Sequence, residues 1–124
     1  MTKKLITILT PCYNEELNVR EVHRRLMATA ENLPEYQFEH LFIDNASTDN
    51  TVSVLRAIAA GDSSVRVIVN ARNFGADRSG MHGFLQAKGD AVGTLVADLQ
   101  DPPELFIDMI RAWETGFPIV AAIK

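Results

Sequence analysis

Residues 91–116 read AVGTLVADLQDPPELFIDMIRAWETG, which is a strand, a polar turn and a helix in that order. The run Ala91–Ala97 is short and aliphatic, as suits a strand covered on both faces. It closes on a polar group: Asp98, Gln100 and Asp101. From Pro102 to Thr115 apolar residues recur at helical spacing, which turns Phe106, Met109, Ile110 and Trp113 inward, and Gly116 supplies a stop. Asp101-Pro102-Pro103-Glu104 has the make-up of a helix start, with Asp101 at the cap, Pro102 in the first turn and Glu104 reaching back. Asp98 lies three residues before that cap, so helix initiation does not account for it.

The same alternation extends back to the N-terminus. Four more apolar runs predict strands, at Leu5–Thr10, Phe38–Asp44, Val65–Asn70 and Ile119–Ile123. Three more helices are predicted between them. The first spans Asn18–Asn32, with Val19, Val22, Leu26, Ala30 and Leu33 on one stripe and a capping-box spacing at Asn18 and Glu21. The second spans Asn50–Ala60 and stops at Gly61; the third spans Asp77–Lys88 and stops at Gly89. Gly80 and Gly83 weaken the third by about 1 kcal/mol each relative to alanine. They allow either a close helix–sheet approach or room for a ligand. Alternating strands and helices imply parallel crossovers, so the expected fold is a doubly wound, mainly parallel, Rossmann-like α/β sheet of about five strands with helices on both faces. At 124 residues the chain builds one core and one domain, residues 1–124.

In such sheets ligands bind beyond the carboxyl ends of the strands. Four loops lie there, PCYNEE, DNASTDN, ARNFGAD and DLQDPPE, and they hold most of the unusual polar residues. Several chemistries are excluded by what these loops lack. No Walker-type glycine loop, dinucleotide glycine fingerprint or nucleophile elbow is present. Cys12 is the single cysteine, so the chain holds neither a disulfide framework nor a zinc cluster; it reads as a packed residue beneath the first loop. A net charge of −4 without a basic block argues against nucleic acid. No apolar run reaches membrane-span length, and the N-terminus reads as a strand rather than a signal peptide, which fits a cytoplasmic setting. Asn45-Ala46-Ser47 matches a glycosylation sequon by chance. His82 reads as a surface or packing residue, and His23 and His40 read as surface residues. A phospho-acceptor receiver domain is set aside, because ARNFG follows the third strand where an acidic residue is needed.

The loops are instead acidic and amide-rich. Glu15, Asp44, Asp49, Asp98 and Asp101 gather at one edge, and neighbouring carboxylates repel unless a cation or hydrogen-bond donor balances them. Mg²⁺ or Mn²⁺ shared with a ligand's phosphates resolves that repulsion. Ser47, Thr48 and Asp49 are expected to turn or cap into the second helix.

Taken together, PCYNEE, FIDNASTDNT, RNFG and VADLQDPPE resemble the inverting family-2 glycosyltransferases of GT-A fold. Within that family they are most similar to the dolichyl-phosphate mannose synthase-like bacterial enzymes. The likeness covers nearly the whole chain and implies a nucleotide-sugar-binding domain, with UDP or GDP as the nucleotide. It implies that Pro11, Tyr13 and Glu15 border the nucleoside, that Asp44 accepts a hydrogen bond from the base, and that Asn45 touches ribose or base. Asn45 stands where the family commonly has an aspartate. Arg72, with Arg78 nearby, would meet the diphosphate; Asp98 would bind the metal with Gln100 as a second ligand. Val96 departs from the pattern, which usually has an aspartate there.

The resemblance places no catalytic residue within these residues, because the acceptor half of the family's fold follows them. The chain is therefore expected to be part of a longer enzyme, weak in nucleotide binding and inactive alone. The longer enzyme would pass a sugar to a polyprenyl phosphate or a cell-envelope glycan precursor at the cytoplasmic face of a membrane. An open strand at the C-terminus would also allow pairing with a second copy. The second reading of the same sequence is a non-catalytic α/β interaction module that keeps a degenerate nucleotide site.

Overall fold

The computed structural model describes residues 3–100 and 102–120. Elements alternate as β1 (Lys4–Cys12), α1 (Val19–Ala30), β2 (Tyr36–Asp44), α2 (Thr51–Gly61), β3 (Val65–Val69), α3 (Ala76–Gln86), β4 (Ala91–Thr94) and α4 (Leu105–Glu114). The strands form one sheet in the order β3-β2-β1-β4, and every pairing is parallel. The chain steps from β1 outward to β3 and then crosses to the far side of β1. The reversal of direction therefore lies between β1 and β4, where open α/β sheets hold their ligands.

Side-chain alternation along the strands fills two layers. Ile6 and Ile8 of β1 and Phe42 of β2 join Val19, Val22 and Leu26 of α1, Leu55 and Ile58 of α2, and Phe106 and Ile110 of α4 in the larger core. Leu9, Leu41 and Ile43 point to the other face and form a smaller core. There α3 lies close: a Cβ on Gly83 would sit 2.7 Å from Leu9 Cδ1 and 3.2 Å from Ile43 Cγ2. Gly83 is thus a close-approach residue, whereas nothing lies within 4 Å of a Cβ on Gly80. The connection into β4 is pinned to the same face. Gly89 N–H donates to Thr7 Oγ1 at 2.9 Å, Thr7 donates to Glu39 at 2.6 Å, and Arg66 pairs with Glu39 at 2.6 Å.

The predicted elements are present, with four corrections. Asn18 precedes α1 but makes no side-chain cap; its amide donates to Glu15 Oε2 at 2.8 Å, and Glu21 is taken by Arg24. α4 starts at Leu105 rather than at Pro102, and Glu104 just before it pairs with Arg25 at 3.0 Å. β4 stops at Thr94 because the β1 ladder ends at Leu9↔Thr94, so Val96 and Ala97 belong to the loop. The fourth concerns two histidines. His40 is fully buried and His23 nearly so, because Thr10, His40, His23 and Asp62 form one hydrogen-bonded chain, at 2.8, 2.9 and 2.9 Å in turn. The sheet has four strands: Ile119 and Val120 are outside any strand, and residues 121–123 of the expected fifth lie outside the described residues, as does the Asp101 cap. Gly116 ends α4 as expected, with φ of 107°.

Candidate functional site

The loops that leave β1, β2, β3 and β4 share a backbone feature. Among the described residues, left-handed non-glycine conformations occur at Asn14 (φ 53°), Ala46 (φ 62°) and Leu99 (φ 58°), and Gly75 (φ 85°) adds a fourth. Each of the four loops carries one. Non-glycine residues in this region are uncommon and cost free energy, and such outliers concentrate where a ligand is held.

The first two loops are stitched together. Asn14 Oδ1 accepts from Thr48 N–H at 2.8 Å and Asp49 N–H at 3.3 Å, and Asn14 N–H donates to Ser47 Oγ at 2.9 Å. Glu15 N–H donates to Thr51 Oγ1 at 2.9 Å. Asp49 accepts from Thr51 N–H at 2.9 Å, so Ser47–Asp49 do turn the chain into α2. Asp44 is fully buried, and Ser47 occupies both its oxygens, through N–H at 2.9 Å and Oγ at 2.5 Å. Each oxygen keeps an acceptor position free of Ser47, so burial rather than the Ser47 bonds is what a base would have to overcome. Tyr13 is 46% exposed above this floor, and Pro11 and Glu15 are half-buried. Cys12 is buried, and burial first, then the charges of Asp44 and Glu15, push its thiol far up, which disfavours a thiolate there.

Asn45 ties the second loop to the third. Its Oδ1 accepts from Phe74 N–H at 2.9 Å and Asn70 Nδ2 at 3.2 Å, and its Nδ2 donates to Asn73 Oδ1 at 2.8 Å. Arg72 is exposed, lies over the Phe74 ring at 4.9 Å and has no carboxylate partner among the described residues. Arg78 and His82 are exposed on α3.

Asp98 and Gln100 are exposed on the fourth loop, and Asp98 Oδ1 accepts from Gln100 N–H at 3.1 Å. Among the described residues no three His, Cys, Asp or Glu side chains converge on a metal position. One carboxylate and one amide do not make a closed cage. They fit a hard cation that takes its remaining ligands from phosphates and water. The amide clamps at Asn14, Asn70 and Asn73 have no direct signature in the sequence. The available signal was the density of asparagine in loops that need left-handed backbone and local hydrogen bonds.

A family model described as "Glycosyl transferase family 2" matches residues 7–123. The chain belongs to that family. The resemblance read from the four loops is borne out, and so is the GT-A fold. An uncharacterised glycosyltransferase of Bacillus subtilis strain 168 is 37% identical over 118 residues, which is 95% of this chain and 36% of that one. An undecaprenyl-phosphate 4-deoxy-4-formamido-L-arabinose transferase of Pseudomonas fluorescens strain SBW25 is 39% identical over 121 residues, covering 96% and 35%. This family 2 chain thus spans about a third of the length of the curated relatives it matches. Among solved structures, S. aureus TarS 1-349 in complex with UDP-GlcNAc superposes with a TM-score of 0.72 at 22% identity, covering 92% of this chain and 32% of that one. The mannosyltransferase PcManGT of Pyrobaculum calidifontis, in complex with GDP-Man and Mn2+, gives 0.67 at 22%, covering 79% and 28%. At that identity the likeness establishes the fold alone.

Proposed function

We propose that residues 1–124 are the donor-binding domain of a glycosyltransferase that takes a nucleoside-diphosphate sugar and transfers the sugar with inversion. The observation that carries this is that each of the four loops at the carboxyl ends of the parallel strands bends through a left-handed residue, with Tyr13, Arg72, Asp98 and Gln100 exposed on them. Pro11, Tyr13 and Glu15 border the nucleoside; Asp44 orders the second loop through Ser47 and accepts the base N–H at an acceptor position that Ser47 leaves free. Arg72 meets the diphosphate, whose oxygens suit a guanidinium fork. Asp98, with Gln100, would hold Mg²⁺ or Mn²⁺ in common with the phosphates. A bound metal there supplies charge stabilisation for the departing diphosphate.

The acceptor oxygen attacks the anomeric carbon in line as the bond to the diphosphate breaks, and the electron pair leaves with the phosphate oxygen. A polyprenyl phosphate is the acceptor we favour, from the names of relatives such as the Pseudomonas enzyme. It is already anionic, so little general-base help is needed. No helix among the described residues is long and apolar enough to cross a membrane. The full-length protein would meet such an acceptor at the cytoplasmic face of a membrane.

Calorimetric titration with UDP, GDP, UDP-GlcNAc and GDP-mannose, each with and without Mn²⁺, tests the reading. Metal-dependent binding of one nucleotide, weakened by Asp98→Asn, is expected. A folded protein that binds none of the four overturns it.

A further inference from the structure

Asn45 is 7% exposed and spends three of its four hydrogen-bonding positions on the neighbouring loop and the end of β3. Two backbone groups fix which way the amides point. Phe74 N–H can only donate, so the atom of Asn45 facing it is the oxygen, at 2.9 Å, which leaves the nitrogen toward Asn73. Gly75 N–H donates to Asn73 Oδ1 at 2.8 Å, so Asn73 in turn presents oxygen to Asn45 Nδ2. The match works only with a donor at Asn45 Nδ2; an aspartate would set oxygen against oxygen. A second tie runs through Asn70 Nδ2, which donates to both Asn45 Oδ1 and Ser79 Oγ of α3, at 3.2 and 3.0 Å. The held segment ends in left-handed Gly75 and carries Phe74, whose ring lies 4.9 Å from the Arg72 guanidinium.

We infer that Asn45 is a positioning residue, which clamps the turn of residues 72–75 and so sets Arg72 for the nucleotide's diphosphate, without itself recognising base or ribose. The inference rests on the reading above that Arg72 meets the diphosphate. It also explains why asparagine stands at this position: the clamp needs one acceptor and one donor from a single short side chain.

The test uses the full-length chain and its Asn45→Ala, Asn45→Asp, Arg72→Ala and Asn45→Ala/Arg72→Ala variants. Residue-resolved hydrogen exchange reads the clamp directly. In Asn45→Ala the Phe74 amide should exchange about tenfold faster, the effect of losing one buried hydrogen bond. In Asn45→Asp, which keeps shape and acceptor, Phe74 should stay protected while Gly75 speeds up, because Asn73 must turn its nitrogen toward the new carboxylate. Unchanged exchange at both amides overturns the clamp. Titration with UDP and GDP, and with uridine and guanosine, reads the route to the ligand. Asn45→Ala should weaken the diphosphate severalfold and leave the nucleoside unchanged, and in the Arg72→Ala background it should add nothing. An equal loss for nucleoside and diphosphate, or full additivity, overturns positioning in favour of direct contact. If neither diphosphate binds the unchanged protein, the nucleotide part of both readings falls, while exchange still decides the clamp.

Discussion

Lowering the pH from 7 to 5 should destabilise this domain through His40, before most of its carboxylates are affected. The ring is fully buried, lies 3.9 Å from the Phe42 ring, and is bonded to Thr10 Oγ1 at 2.8 Å and His23 Nδ1 at 2.9 Å. Burial first, and the charge of His23 second, hold it well below the ordinary 6.5, while Asp62 acts the other way. The sign follows from proton counting: as pH falls through about 6.5 the unfolded chain gains a proton at this residue and the folded chain does not, so stability falls. A difference of one whole proton is worth about 1.4 kcal/mol per pH unit, or about 2 kcal/mol between pH 6.5 and 5. That is a large share of the about 5–15 kcal/mol of a typical domain. Glu39 and Asp62 are held below their ordinary 4.5 and 3.8, so their stabilisation is complete above those values and lost only beneath them. The interval from pH 6.5 to 5 therefore separates the histidines from these carboxylates, and a His40 variant separates His40 from the other two. Urea unfolding at pH 8, 7, 6 and 5 measures the slope, with His40→Gln as the comparison. The variant should start about 1–3 kcal/mol less stable at pH 7, from unpaired buried partners, yet lose less on acidification. A flat profile for the unchanged chain, or equal slopes for both, would refute the reasoning.

Two further outcomes follow from the same geometry. Gly80→Ala meets no atom within 4 Å and should stabilise α3 by about 0.5–1 kcal/mol, whereas Gly89→Ala places a Cβ 2.6 Å from both Ala91 O and Thr7 N and should cost more than about 2 kcal/mol; urea midpoints of the two variants should move in opposite directions. Val96→Asp adds a carboxylate on the Asp98 loop and should tighten Mn²⁺-dependent nucleotide binding by on the order of tenfold; unchanged calorimetric affinity would place Val96 away from the metal.

Much of this fold is legible in the sequence because both faces of the sheet are covered. Strands such as Leu41-Phe42-Ile43 then read as unbroken apolar runs, and helices such as α4 as periodic ones. The readings that failed have specific competitors. The spacing of Asn18 and Glu21 was right for a capping box, but Glu15 and Arg24 offered those side chains better partners. The apolar run through Ala97 continued past the end of the β4 ladder because Leu95 and Ala97 remain buried after leaving the sheet. His23 and His40 were read as surface residues because a lone histidine gives no hint of its partners. Thr10 and Asp62, far away in sequence, make burial tolerable by completing the chain. The glycines of α3 looked equivalent, and only the approach of Leu9 to Gly83 separates them.

The fourth loop bears on whether a site without a carboxylate at position 96 is adapted or decayed. Ala97 is 3% exposed, Asp98 is exposed, Leu99 packs against the larger core and Gln100 is exposed again. That in-out-in-out order depends on Leu99 adopting φ of 58°, a conformation that costs a bulky residue about 1–2 kcal/mol. Glycine would relieve the backbone but lose the apolar anchor, so the leucine holds the loop at a local cost. The consequence is that the two polar side chains face outward together, and the Asp98 carboxylate is further aligned by Gln100 N–H at 3.1 Å. With Val96 39% exposed beside it, the same frame presents one carboxylate and one amide, a donor set that depends on the ligand's own phosphates to complete a metal's shell. Metal and nucleotide should therefore bind as a unit, each weakly without the other.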